Sequence, residues 1–108
     1  MRIEYKKLIR DRIPEIIAAN GQTAATRTLT DAEYAAELEK KLKEEVAEYL
    51  ESKAPVELAD VLEVAQALAE NAGVSFDELL ALKAEKQRTN GAFRKKLFLE
   101  YVESKRDV

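Results

Sequence analysis

At 108 residues, with 46% hydrophobic and 36% charged side chains and only 3 Gly and 2 Pro, the chain has the composition of one folded domain spanning 1–108, not of a disordered or low-complexity segment. Its 18 basic and 21 acidic residues give a net charge of -3, without the basic excess that marks a nucleic-acid binder. Having neither Cys nor His, it excludes disulfides, thiol nucleophiles, Cys-ligated zinc and imidazole catalysis. Chemistry must then come from carboxylates, Lys, Arg, Tyr and hydroxyls, an oxygen-rich set suited to Mg²⁺, Mn²⁺ or Ca²⁺.

Met1 to Arg12 is charged and lacks the apolar stretch of a signal peptide. No segment approaches the roughly 18 apolar residues of a membrane span, so the expectation is a soluble, cytoplasmic protein. Leu8 to Ala19 reads as a short helix with Pro14 in its first turn, closed by Asn20-Gly21. Gln22 to Leu29 is Thr-rich and aperiodic, hence a loop. Thr30 with Glu33 forms a capping box that opens a long helix from about Asp31 to Ser52. Lys53-Ala54-Pro55 is a tight break, with Pro55 suited to start the next helix, which runs to about Ala72 and ends at Gly73. Ser75 with Glu78 is a second capping box, and its helix extends to about Thr89, before the stop signal Asn90-Gly91. From Ala92 onward, Phe93, Leu97 and Tyr101 predict one more helical piece that packs on the core or on a partner. No segment reads as a strand, so the fold class is all-α, and the short break at Lys53 to Pro55 makes the two long helices antiparallel.

That hairpin carries the functional signal. On a wheel of about 100° per residue, Tyr34, Leu38, Leu42, Val46 and Tyr49 define the apolar face of the long helix. Glu45 falls near the middle of that face and Glu48 on its edge, whereas Glu37, Glu44 and Glu51 point toward solvent. The next helix is apolar around most of its circumference, which predicts burial on more than one side. Glu57 projects into the arc of Val61, Val64 and Leu68, and Asp60 lies beside it, flanked by Val64 and Ala67. Four carboxylates thus face inward near the closed end of one hairpin. Burying even one unpaired carboxylate has an effective cost of several kcal/mol, and four together repel unless protonated or neutralised. A divalent cation, or two, is the economical solution. The plainer alternative is that each acidic pair lies on a solvated surface, or that Glu45 meets a Lys or Arg from elsewhere in the fold.

The segment Glu44-Glu45-Val46-Ala47-Glu48, followed by Glu57-Leu58-Ala59-Asp60, resembles the all-α nucleoside triphosphate pyrophosphohydrolases, the MazG-like superfamily. The stretch Tyr5-Lys6-Lys7-Leu8-Ile9-Arg10-Asp11-Arg12-Ile13-Pro14-Glu15-Ile16-Ile17 looks like the N-terminal signature of its phosphoribosyl-ATP pyrophosphohydrolase-like branch, as do Glu57 to Val64 and Gly91-Ala92-Phe93. Two departures stand out: a short spacer between the acidic pairs, and Asn90 where relatives commonly place an Arg. The resemblance implies Mg²⁺, with Mn²⁺ an alternative, held by Glu45, Glu48, Glu57 and Asp60, with Glu44 a weaker candidate. It also implies hydrolysis of a nucleoside triphosphate to monophosphate and pyrophosphate, of the house-cleaning type, with Glu45 or Glu48 accepting the proton of the attacking water. A homodimer or larger homo-oligomer would complete a four-helix bundle.

The positive charge needed around the phosphates has candidates in Lys7, Arg10 and Arg12 near the N-terminus and in Lys83, Lys86 and Arg88 on the third long helix, with Arg10 and Lys86 preferred. Tyr5, Tyr34 and Phe93 are candidate base-stacking groups, although an aromatic more often belongs to a core. Two rivals share the same residues: a phosphoribosyl-ATP pyrophosphohydrolase of histidine biosynthesis, and a non-catalytic helical interaction module. Neither a nucleic-acid polymer nor a membrane is expected as a partner.

Overall fold

The computed structural model of the chain describes residues 1–104. Four α-helices follow in order, and among the described residues there is no strand: α1 (Ile13–Ala19), α2 (Asp31–Ser52), α3 (Pro55–Asn71) and α4 (Phe76–Asn90). None is long and apolar enough to cross a membrane.

Local chemistry sets these boundaries. Thr30 accepts the Glu33 backbone N–H at 3.2 Å while the Glu33 carboxylate accepts the Thr30 N–H at 3.0 Å, so two of the donors left orphaned at the start of α2 are satisfied. Ser75 and Glu78 make the same reciprocal pair at α4, at 3.1 and 3.4 Å. Arg27 forks onto Glu33 at 2.8 and 3.1 Å, and this side-chain hydrogen bond, with the Thr30 N–H, holds the Glu33 carboxyl down at about 2. Pro55 begins α3 where no N–H is required. Gly73 follows it with φ +84, a backbone that glycine adopts without a Cβ clash.

Two expectations need correction. α1 is shorter than Leu8 to Ala19, because Pro14 has no N–H to give to a carbonyl one turn earlier and fits only the first turn of a helix, so regular helix begins at Ile13. The tail after Gly91 is not helical over residues 92–104; the last four positions of the chain lie outside the described residues. Phe93, Leu97, Phe98 and Tyr101 stand exposed there, and without packing a helix this short is marginal in water.

The α2–α3 hairpin is the structural centre. Its connection is made by Lys53, whose φ of 58 closes α2 in the left-handed region, and by the Ala54 N–H donating to the Ser52 hydroxyl at 3.1 Å. α3 packs on α2, and α4 packs on α3. Among the described residues, Leu38 and Val64 alone are buried apolar side chains, while Leu50, Val56, Leu58 and Leu62 remain exposed. The radius of gyration is 19.8 Å, against about 13 Å for a compact chain of this length.

Candidate metal centre

Glu45 is the chain's one buried charged residue among those described, at 8% exposure, and the wheel argument placed it correctly. Eight residues before the Lys53 turn, it comes opposite Glu57 and Asp60, the first inward positions of α3. One carboxylate oxygen from each of the three lies within 4.8 Å of the others. Burial first, then the neighbouring charge of Glu48, pushes the Glu45 carboxyl above the ordinary carboxylate range. Glu57 is likewise raised, by desolvation first and then by its hydrogen bond with Asp60. Each shift records an environment that disfavours the ionised form.

The protein supplies part of the missing positive charge itself. Lys41, one turn before Glu45 on the same face, places Nζ 3.5 Å from Glu45 Oε1 and 3.3 Å from Glu44 Oε1. Lys7 approaches Glu44 to 3.7 Å. Arg10 donates to Asp60 Oδ1 at 2.7 Å and lies 3.7 Å from Glu63. Glu45 Oε2, however, is buried with no hydrogen-bond partner. A buried acceptor without a donor carries its full desolvation cost. Opposite ligands of a Mg²⁺ ion, each bound at about 2.0–2.1 Å, are about 4.2 Å apart, and those of the larger Ca²⁺ about 5 Å. Three carboxylates with oxygens within 4.8 Å of one another, one of them also carrying a buried oxygen without a donor, fit a divalent cation.

The packing separates the predicted positions. Glu48 is exposed and stands outside the converging trio, although it lines the same cleft of about 310 Å³ as Lys7, Arg10, Lys41, Glu45 and Asp60. Glu44 does not point into solvent: two lysines hold it at the cleft wall. Glu37 is also half-buried, paired with Lys40 at 2.8 Å. Lys7 and Arg10 reach the cleft, but Arg12 turns outward to Glu15 at 3.6 Å. Lys83, Lys86 and Arg88 lie on an α4 surface that contributes nothing to the cleft lining, and Arg88 is engaged by Glu85. Tyr5 stacks beneath Lys7, with Nζ 5.7 Å from its ring centre, Tyr34 is half-buried on α2, and Phe93 is exposed in the tail. Lys41 was missed by the sequence reading, though its spacing, four residues before Glu45 and three before Glu44, could have revealed it.

No family model and no solved structure matches this chain. A Mycolicibacterium smegmatis protein, described as an uncharacterized protein, is 62% identical over 42 residues, 39% of this chain. The match covers 43% of that relative's own length, so the chain corresponds to less than half of it.

Proposed function

We propose that the chain is a MazG-like nucleoside triphosphate pyrophosphohydrolase that cleaves a nucleoside triphosphate to monophosphate and pyrophosphate with Mg²⁺ or Mn²⁺. The observation that carries this reading is the buried, half-unpartnered Glu45 carboxylate facing Glu57 and Asp60. The N-terminal and acidic-pair motifs of the sequence agree with it. Glu45, Glu57 and Asp60 would hold the cation, with Glu48 reaching in from the rim. The bound cation supplies charge neutralisation for the triphosphate and lowers the pKa of the attacking water.

The residues of the chain account for the remainder. Lys7 and Arg10 flank the acidic trio and offer cationic groups to the outer phosphates, the guanidinium in a bidentate fork. Attack of water on the α-phosphorus breaks its bond to the bridging oxygen, and pyrophosphate departs. Glu48, exposed at the cleft and outside the trio, is the carboxylate placed to take the water proton; Glu45 is the alternative. Burial of the exposed Leu58 and Leu62 face of α3 against a second copy would complete a four-helix bundle. The reading places the protein in the cytoplasm.

The test is pyrophosphate release over a nucleotide panel that includes phosphoribosyl-ATP, with and without Mg²⁺. Metal-dependent release from at least one substrate, reduced at least 100-fold by Glu45→Gln, is expected. Equal release by Glu45→Gln would refute the assignment of the centre, and no release from any substrate would favour a non-catalytic helical module.

A further inference from the structure

The N-terminal segment reaches the hairpin through charge. α1 packs against none of the other helices. The segment before it is attached by half-buried Leu8 and Ile9 and by the ion pairs of Lys7 with Glu44 and of Arg10 with Asp60 and Glu63. The shortest of these, at 2.7 Å, ends on a carboxylate of the converging trio. Arg10 is itself half-exposed, and its guanidinium is held by Asp60 and, at the longer distance of 3.7 Å, by Glu63.

We infer that Arg10 is a resident counter-ion of the acidic trio, and that a divalent cation entering among Glu45, Glu57 and Asp60 displaces it from Asp60 and loosens the 1–12 segment. The inference rests on the metal-centre reading above. A cation bound to Asp60 would stand within a few ångströms of a guanidinium on the same carboxylate, and like charges at that distance in a half-buried cleft repel strongly. Relief of that repulsion comes from movement of the long, flexible Arg10 side chain. Lys41 differs: it is held on the same helix as its partners and contacts Glu45 through Oε1, leaving Oε2 open to the cation. Once displaced from Asp60, Arg10 keeps only its longer contact with exposed Glu63 and offers its guanidinium at the mouth of the cleft. Metal loading thereby makes a positive group available for an anionic ligand in the same step. By linkage, an anion that captures Arg10 also tightens the metal.

The experiment is calorimetric titration of Mn²⁺ into the full chain and into Arg10→Gln and Arg12→Gln at constant ionic strength, paired with amide hydrogen exchange over residues 7–17. Arg10→Gln is expected to bind Mn²⁺ about tenfold more tightly than the parent, as expected for removing a competing charge at close range. Arg12→Gln, which lacks contact with the trio, is expected to stay within about twofold. In the parent, Mn²⁺ should accelerate exchange at the Ile13 amide, which bonds to the Arg10 carbonyl at 3.1 Å. Equal or weaker binding by Arg10→Gln, an equal gain in both variants, or unchanged exchange in the metal-bound parent would overturn the counter-ion role while leaving the metal centre standing. Absence of Mn²⁺ binding in all three proteins at millimolar concentration would instead overturn the metal centre and this inference with it.

Discussion

Replacing Glu45 by Gln tests whether the acidic centre is held in a strained state until a cation arrives. Lys41, 3.5 Å away, attracts the Glu45 charge by about 4.7 kcal/mol at an effective dielectric constant of about 20. The neighbouring charge of Glu48 opposes this, and a like charge on Asp60, within 4.8 Å, adds at least about 3.5 kcal/mol on the same scale. Lys41 is shared with Glu44, which weakens the attraction, and the desolvation of a buried carboxylate adds a penalty of several kcal/mol. The balance falls against the charge, in agreement with the raised pKa of Glu45. Glutamine keeps the shape, removes the repulsion and donates hydrogen bonds to Glu57 and Asp60. Metal-free Glu45→Gln should therefore be more stable than the parent by about 1–2 kcal/mol, a rise in Tm of about 4–10 °C. Scanning calorimetry in EDTA and then in millimolar Mn²⁺ reads both halves of the argument. The parent should gain stability with metal by mass action, and the variant should gain much less. A metal-free Tm below that of the parent, or an undiminished metal-induced shift, would show that Glu45 is an ordinary structural carboxylate.

Further predictions follow from the same structure. Glu45 and Glu57 both have raised folded-state pKa values, so the native state binds more protons than the unfolded state in the pH range just above the ordinary value of 4.5, and metal-free stability should fall as pH rises through that window; chemical denaturation between pH 4 and 8 checks the sign, and saturating Mn²⁺ should flatten the decline. The proposed pairing through α3 predicts self-association of the parent in sedimentation experiments and a monomer for the double substitution Leu58→Glu and Leu62→Glu on its exposed face, without loss of far-ultraviolet helix signal. Lys53→Gly should leave the hairpin intact and stabilise it by up to about 1 kcal/mol in thermal unfolding, since relief of about 1–2 kcal/mol of left-handed strain exceeds the entropic cost of glycine.

The sequence by itself determined what is local. Thr30 with Glu33 and Ser75 with Glu78 mark helix starts because each box satisfies its own backbone donors within four residues, whatever the rest of the fold does. Pro55 and Gly73 delimit α3 by their own backbone preferences. Glu45 was legible because helical periodicity alone sets which face a residue occupies, and the short Lys53–Ala54 connection brings the face of α3 that bears Glu57 and Asp60 opposite it. The tertiary structure decided the rest. Glu48 and Glu44 lie near the edges of their face, where a few degrees of helix rotation decide exposure, and the packing reversed the expected order: Glu48 is open to solvent and Glu44 is clasped by Lys7 and Lys41. Of the six cationic candidates, Arg10 and Lys86 were preferred from the sequence, and the fold brings Arg10 to the cleft while Lys86 and Arg12 stay off its lining. The choice was made by a partner 50 residues away, Asp60, whose carboxylate meets one guanidinium and not the other, because only the folded hairpin brings it there.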